Sequence, residues 1–161
     1  MTFLRALMLL ALIAWIGGIV FFSFVLAPTV FTVLPSREMA GTVVSRSLTS
    51  LHWIGLISGV VFLACSLAYN QMQLARLKLF AATHVFVMLM LALTLVSQFC
   101  ITPRMHTLRA EMGMIDNIVP SDARRMEFDH LHTWSTRVEG TVFFLGLAVV
   151  VLTARRDPTQ R

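Results

Sequence analysis

Four apolar runs dominate this chain, covering about residues 3–27, 51–70, 79–101 and 134–154. A helix needs ~20 residues to cross ~30 Å of hydrocarbon. The first three runs reach that length outright. The fourth reaches it only by taking Arg137 and Glu139 into the span or its headgroup zone. The runs lack the period-two alternation of barrel strands, and in lipid a helix satisfies every backbone polar group within one segment. A soluble fold of 161 residues could not hide so much apolar surface, because its small volume demands a polar shell. Hydrophobic residues make up 57% of the chain and charged residues 13%, against roughly 25% charged in soluble proteins. The expected fold is an all-α, four-helix transmembrane bundle, a single integral membrane domain over residues 1–161. Its first run exceeds the ~7–15 residues of a signal-peptide core and is expected to remain as a span.

The connections are unequal. Pro28 is expected to end the first helix, and Pro35-Ser36 to start a short one. Residues 70–78 read as a tight turn. After the third span, Thr102-Pro103 starts a segment with Met105, Leu108 and Met112 at helical spacing. That pattern suggests a short amphipathic helix on the membrane surface, so short helices are expected in both outer loops. Ser121 is placed to cap a last helix running into the fourth span. The net charge is +5, and the basic residues flank the apolar runs as topology signals. Arg5, Arg76, Lys78, Arg155, Arg156 and Arg161 cluster near the termini and the tight turn. Their density puts both termini in the cytoplasm, with a bacterial plasma membrane as the expected location.

Polar residues gather at the opposite ends of the spans. His52 opens the second, Gln98 closes the third, and His132, Ser135, Thr136 and Glu139 open the fourth. The last four follow spacings of three, four and seven and form one helical stripe. A carboxylate at the depth of Glu139 is expensive unless paired, neutral or in contact with water. His52, Gln98, His132, Ser135 and Glu139 are therefore candidates for an outward-facing polar pocket. The competing reading gives Glu139 a packing role, bonded to a neighbouring helix. His52, His132 and Glu139 also have the ligand types of a divalent metal site, and His52 with His132 matches in depth for a haem between helices. No cofactor is expected outright; haem or a divalent metal are the alternatives. Trp15, Gly17, Gly18, Gly55 and Gly59 are expected at helix contacts, the last two in a GxxxG pattern. His84 reads as a packing residue and His106 as a solvated one. Cys65 and Cys100, lacking any CxxC or zinc spacing, read as small apolar residues.

The motif census excludes more than it assigns. The chain has no phosphate-binding loop, no GxSxG, no HExxH and no dinucleotide fingerprint. It also has none of the aromatic and basic interleaving that binds nucleic acid. The expected partners are the bilayer and, beyond it, a second copy or a membrane complex.

The order of short motifs resembles the transmembrane protein 205-like family. Trp15-Ile-Gly-Gly18, Ala27-Pro28-Thr-Val-Phe31, Leu34-Pro35 and Ala40-Gly41 are similar to its opening. Thr102-Pro103-Arg104-Met105 with Leu108-Arg109 looks like its segment after the third helix. Phe128-Asp-His-Leu131-His132-Thr-Trp-Ser135 looks like the start of its last helix. The resemblance implies four membrane helices and no assigned biochemistry. The chain departs from that pattern at Val138-Glu139-Gly140 and at His52-Trp53. The function expected is that of an accessory subunit or a small-solute or metal-handling protein, without enzymatic chemistry. A haem or metal redox protein and a purely structural anchor are the alternatives.

Overall fold

A computed structural model describes residues 2–74, 82–113 and 118–154. The described residues contain no strand, and four helical stretches are long and apolar enough to cross a membrane. They are Thr2–Val33, Arg37–Met72, Ala82–Met112 and Ala123–Ala154. The all-α four-helix architecture expected from the apolar runs is present. Of the expected tight turn at 70–78, residues 70–74 are helical, contrary to expectation, and 75–78 lie outside the described residues.

Two of the four stretches are interrupted in the same way. Helix α1 (Thr2–Phe21) passes through a widened turn at Phe22–Leu26 into α2 (Ala27–Val33). Helix α4 (Ala82–Val96) passes through another at Ser97–Ile101 into α5 (Thr102–Met112). Each widened turn closes on a bond one residue longer than usual, Ala27 N–H to Phe22 O and Thr102 N–H to Ser97 O. Each lies directly before a proline, Pro28 or Pro103. A proline has no N–H to donate, and its ring presses on the carbonyl four residues earlier. Opening the preceding turn relieves that pressure without breaking the helix. Pro28 therefore does not end the first helix, contrary to expectation, and the helix runs on to Val33. The short helices of the outer connections, α2 and α5, continue the spans, so the segment from Thr102 does not stand apart as a surface helix.

The real break comes at Leu34, which is extended (φ −80°, ψ 142°), as the residue before a proline tends to be. Ser36 then caps α3 (Arg37–Leu74): its Oγ accepts from the Met39 N–H at 3.1 Å. The helix expected to be short here has 38 residues and continues through the second span, a length of about 57 Å. The last helix, α6 (Ala123–Ala154), is capped by Asp122 and not by Ser121. Asp122 Oδ1 accepts from the Arg124 N–H at 2.8 Å.

That cap carries a pH signature. The Arg124 side chain and backbone hold the Asp122 carboxyl well below its usual range, at about 2. A depressed folded-state pKa contributes stability above the unfolded value and loses it as pH falls through the folded one. The capped start of α6 should thus persist from neutral pH to below 4. The side-chain carboxyl carbon of Asp122, followed by NMR, should titrate near 2. In Arg124→Ala its midpoint should move up toward the value of a free aspartate.

The four spans close into a ring in chain order: α1 packs on α3, α3 on α4, α4 on α6, and α6 back on α1. The shared core includes Leu12, Trp15, Phe62, Val87, Met90, Val142 and Val149. Many large apolar residues point outward, among them Leu10, Ile13, Ile57, Val60, Met88 and Phe144. A soluble protein rarely exposes so much apolar surface; a bilayer is the solvent that suits it. Close packing of α1 on α3 depends on small residues. A Cβ on Gly59 would stand 2.7 Å from the Trp15 ring, and one on Gly18 would stand 2.7 Å from Leu51. Gly55 also lies under the Trp15 indole. Gly17 differs from expectation: nothing lies within 4 Å of where its Cβ would be, so the contact expected of it falls to Gly18. Gly146, not singled out from the sequence, receives Ile16 across the α1–α6 contact.

Candidate functional site

Three of the five expected pocket residues meet in one hydrogen-bonded chain. His52 projects from the middle of α3 and is 1% exposed. Its Nδ1 lies 2.8 Å from Gln98 Oε1, and its Nε2 lies 2.7 Å from Glu139 Oε1. Gln98 sits in the widened turn before Pro103, where Ser97, Gln98 and Ile101 are all buried. The proline thus shapes the helix segment that carries Gln98. Glu139 comes from α6, and only 14% of its side chain is exposed.

The bonding fixes the charge of the unit. Gln98 Oε1 can only accept, so Nδ1 carries a hydrogen and donates. Nε2 then either donates as part of an imidazolium to a Glu139 carboxylate or accepts from a Glu139 carboxylic acid. In both forms the His52–Glu139 pair is neutral overall and holds one proton between its partners. A neutral, hydrogen-bonded pair is what an apolar bundle tolerates at this depth.

His132 and Ser135 do not join this chain. His132 stacks on Phe128, one turn earlier, with ring centroids 6.4 Å apart. Both instead line a cavity of about 390 Å³, and Glu139 forms part of its wall. Glu139 therefore stands between the cavity and His52, while His52 and Gln98 lie behind it. The cavity is lined by the end of α1, the widened turn after it, α2, α3, α5 and α6. Its lining on α6 extends from Phe128 to Phe144, roughly 24 Å along the axis. One side is polar, with Ser135, Thr136 and Glu139. The rest of the lining is largely apolar and includes Ile19, Phe22, Phe24, Phe31 and Leu48 from the other helices and Phe143 one turn beyond Glu139 on α6.

Metal ligation would require rearrangement. Among the described residues, no three His, Cys, Asp or Glu side chains gather closely enough to hold a metal ion. Both ring nitrogens of His52 are engaged, so a haem iron or divalent ion bound there would displace Gln98 or Glu139.

A second polar contact lies toward the other end of the bundle, where Ser66 Oγ and His84 Nε2 are 2.9 Å apart. Between the two polar contacts the core is largely apolar. Phe62 on α3 and Val87 and Met90 on α4 are each no more than 1% exposed. The Thr94 hydroxyl, also at this level, donates back to its own helix at Met90 O. The cavity is thus a one-sided site, with a packed core beneath it.

Sequence reasoning missed part of the lining. Ser45, His106 and Arg109 belong to it. His106 is exposed, but it lies on α5 and not in a loop, and its Nε2 is 3.2 Å from Ser45 Oγ. No local pattern distinguishes Arg109 from the neighbouring arginines; its place depends on α5 continuing the third span. Gly41, quoted above only as part of a motif, turns out to seat it.

Residues 10–113 match the family described as Domain of unknown function (DUF4149). The chain belongs to the DUF4149 family. The match takes in α1 to α5 and so includes Trp15, Gly41, His52, Gln98 and Arg109 of this DUF4149 protein, while His132, Ser135 and Glu139 lie beyond it. No curated protein and no solved structure matches the chain.

Proposed function

We propose that this DUF4149 protein binds a small solute with an apolar body in the cavity between α2, α3, α5 and α6. The observation that carries the proposal is the composition of the wall: a lining rich in phenylalanine that also holds a glutamate bonded to a buried histidine. Binding sites of this kind are mostly apolar, with a few placed polar groups that fix orientation. The volume of about 390 Å³ lies in the small-molecule range. Glu139 has one oxygen on His52, so its second oxygen is the group offered to a solute. The positive charge near the termini and in residues 70–78 orients the site toward the non-cytoplasmic face, in a bacterial plasma membrane. The transmembrane protein 205-like resemblance is the narrower family assignment we favour, and it fits the same four-span arrangement.

Gly140 supplies the test. It lines the cavity, and nothing lies within 4 Å of where its Cβ would be. Gly140→Leu should therefore take up part of the cavity, with a Cβ that meets no neighbour. Helix propensity should raise stability by about 0.5–1 kcal/mol. The probe is an n-alkanol of about ten carbons ending in a trifluoromethyl group, observed by 19F NMR with the protein in nanodiscs. The natural protein should give a bound resonance distinct from the bilayer signal, and Gly140→Leu should lose it while remaining folded. A bound resonance unchanged in Gly140→Leu would show that the chain sits elsewhere, and no bound resonance at all would remove the proposal.

A further inference from the structure

The arginines of α5 and of the start of α6 differ in what satisfies them. Arg104 donates twice to Glu127, at 2.7 and 2.8 Å. Arg124 donates to Asp122, and Arg125 donates to the Ile118 carbonyl. Arg109 is directed elsewhere. Its guanidinium lies over the Phe128 ring, 5.3 Å from the centroid, and lines the cavity. Among the described residues it donates to no acceptor; Glu38 acts on it through space only. A guanidinium carries five N–H donors in a rigid fork suited to carboxylate or phosphate.

The fold makes room for this placement. A Cβ on Gly41 would lie 2.7 Å from one terminal nitrogen of Arg109 and 3.1 Å from the other. Any other residue at 41 would push the guanidinium aside. Ser45, one turn further along α3, and its partner His106 line the cavity beside it. Arg109 also stands about 10 Å beyond the start of α5 at Thr102, outside the apolar part of the third span and at headgroup depth. The phenylalanine wall begins below it. The cavity therefore carries a cation at its headgroup end, and the one carboxyl group in its wall is hydrogen-bonded to His52.

We propose that the cavity is a site for a single-chain anionic amphiphile, its carboxylate or phosphate head on Arg109 and its chain along Ile19, Phe22 and Phe143. The volume of about 390 Å³ lies at the small end of ligand sites, a size suited to one chain. This inference rests on the cavity being a binding site and adds the class of ligand.

The experiment compares three fluorinated chains of equal length with alcohol, carboxylate and phosphate-monoester heads, by 19F NMR in nanodiscs of neutral lipid. Charge-assisted bonds to a guanidinium should make the two anions bind roughly tenfold or more tighter than the alcohol. Arg109→Gln should remove the preference for the two anions over the alcohol, and an unchanged circular dichroism spectrum is the check that the fold is intact. Gly41→Ala should also reduce the preference, because it displaces only the end of a flexible side chain. Acetate and inorganic phosphate, which lack a chain, should not displace the bound anions. Equal binding of all three heads to the natural protein would overturn the ligand class while leaving the cavity as a binding site. Displacement by inorganic phosphate would make it a site for a free anion and also overturn the inference. If no chain binds, the reading of the cavity as a site fails first.

Discussion

His52→Leu is expected to destabilise the bundle by about 3 kcal/mol, because it leaves Gln98 Oε1 without its partner in the buried core and Glu139 Oε1 without its partner at the cavity wall. Removing one member of a buried hydrogen-bonded pair costs more than the bond itself contributed. The remaining partner has lost its water and gains nothing in return. The double variant His52→Leu/Glu139→Leu should accordingly lose less than the sum of the two single variants. Reversible unfolding in mixed micelles measures all three. A cost below about 0.5 kcal/mol for His52→Leu would place it in the range of an unremarkable surface change and would mean that the contact does not hold α3 to α6. Fold and site are linked here, since the same contact fixes the wall of the cavity.

The second large effect is expected at the α1–α3 contact. Gly55→Leu would place a branched side chain where the Trp15 indole now rests, and the flat ring has no room to retreat between α1 and α3. Overpacking of this kind typically costs ~1–3 kcal/mol, and Gly55→Leu belongs at the upper end because the close approach of two backbones is lost with it. Gly17→Leu is the control. Its position is open, so that change should be neutral or slightly stabilising through helix propensity. Thermal unfolding of both variants in one detergent decides the matter. Equal losses at 17 and 55 would mean that α1 does not meet α3 through this face.

The two results also separate what the sequence disclosed from what it concealed. The spans were legible because length and continuous apolarity are local properties, and lipid leaves a chain few alternatives. The stripe of His132, Ser135, Thr136 and Glu139 was legible from helical period alone. The depth of His52 and Gln98, each at the same end of its span, brought them into the candidate site. Their convergence with Glu139 is tertiary and could be suspected only from depth. His132 shares the stripe, yet it stacks on Phe128 and leaves His52 to Glu139.

The misreadings have physical causes as well. Pro28 and Pro103 look like helix ends, but a widened turn lets each helix continue. That continuation carries α5 up alongside α6 and places Arg109 over Phe128. In the sequence Arg109 is one arginine among several in an amphipathic segment. Nothing local shows that Arg104 and Arg124 are satisfied by carboxylates while Arg109 is not. Gly17 and Gly18 could not be told apart by composition, since the rotation of α1 decides which of them faces α3.

The central claim is that α3 and α6 bring His52 and Glu139 into direct contact at the cavity wall. Solid-state NMR on protein labelled with 15N in histidine and 13C in glutamate, reconstituted in bilayers, measures that approach as the distance from His52 Nε2 to the Glu139 carboxyl carbon. A hydrogen bond requires roughly 3.5 Å, and the signal should vanish in Glu139→Gln made with unlabelled glutamine. A separation beyond about 6 Å, too long for any direct hydrogen bond, would contradict the arrangement of the helices and the site built on it.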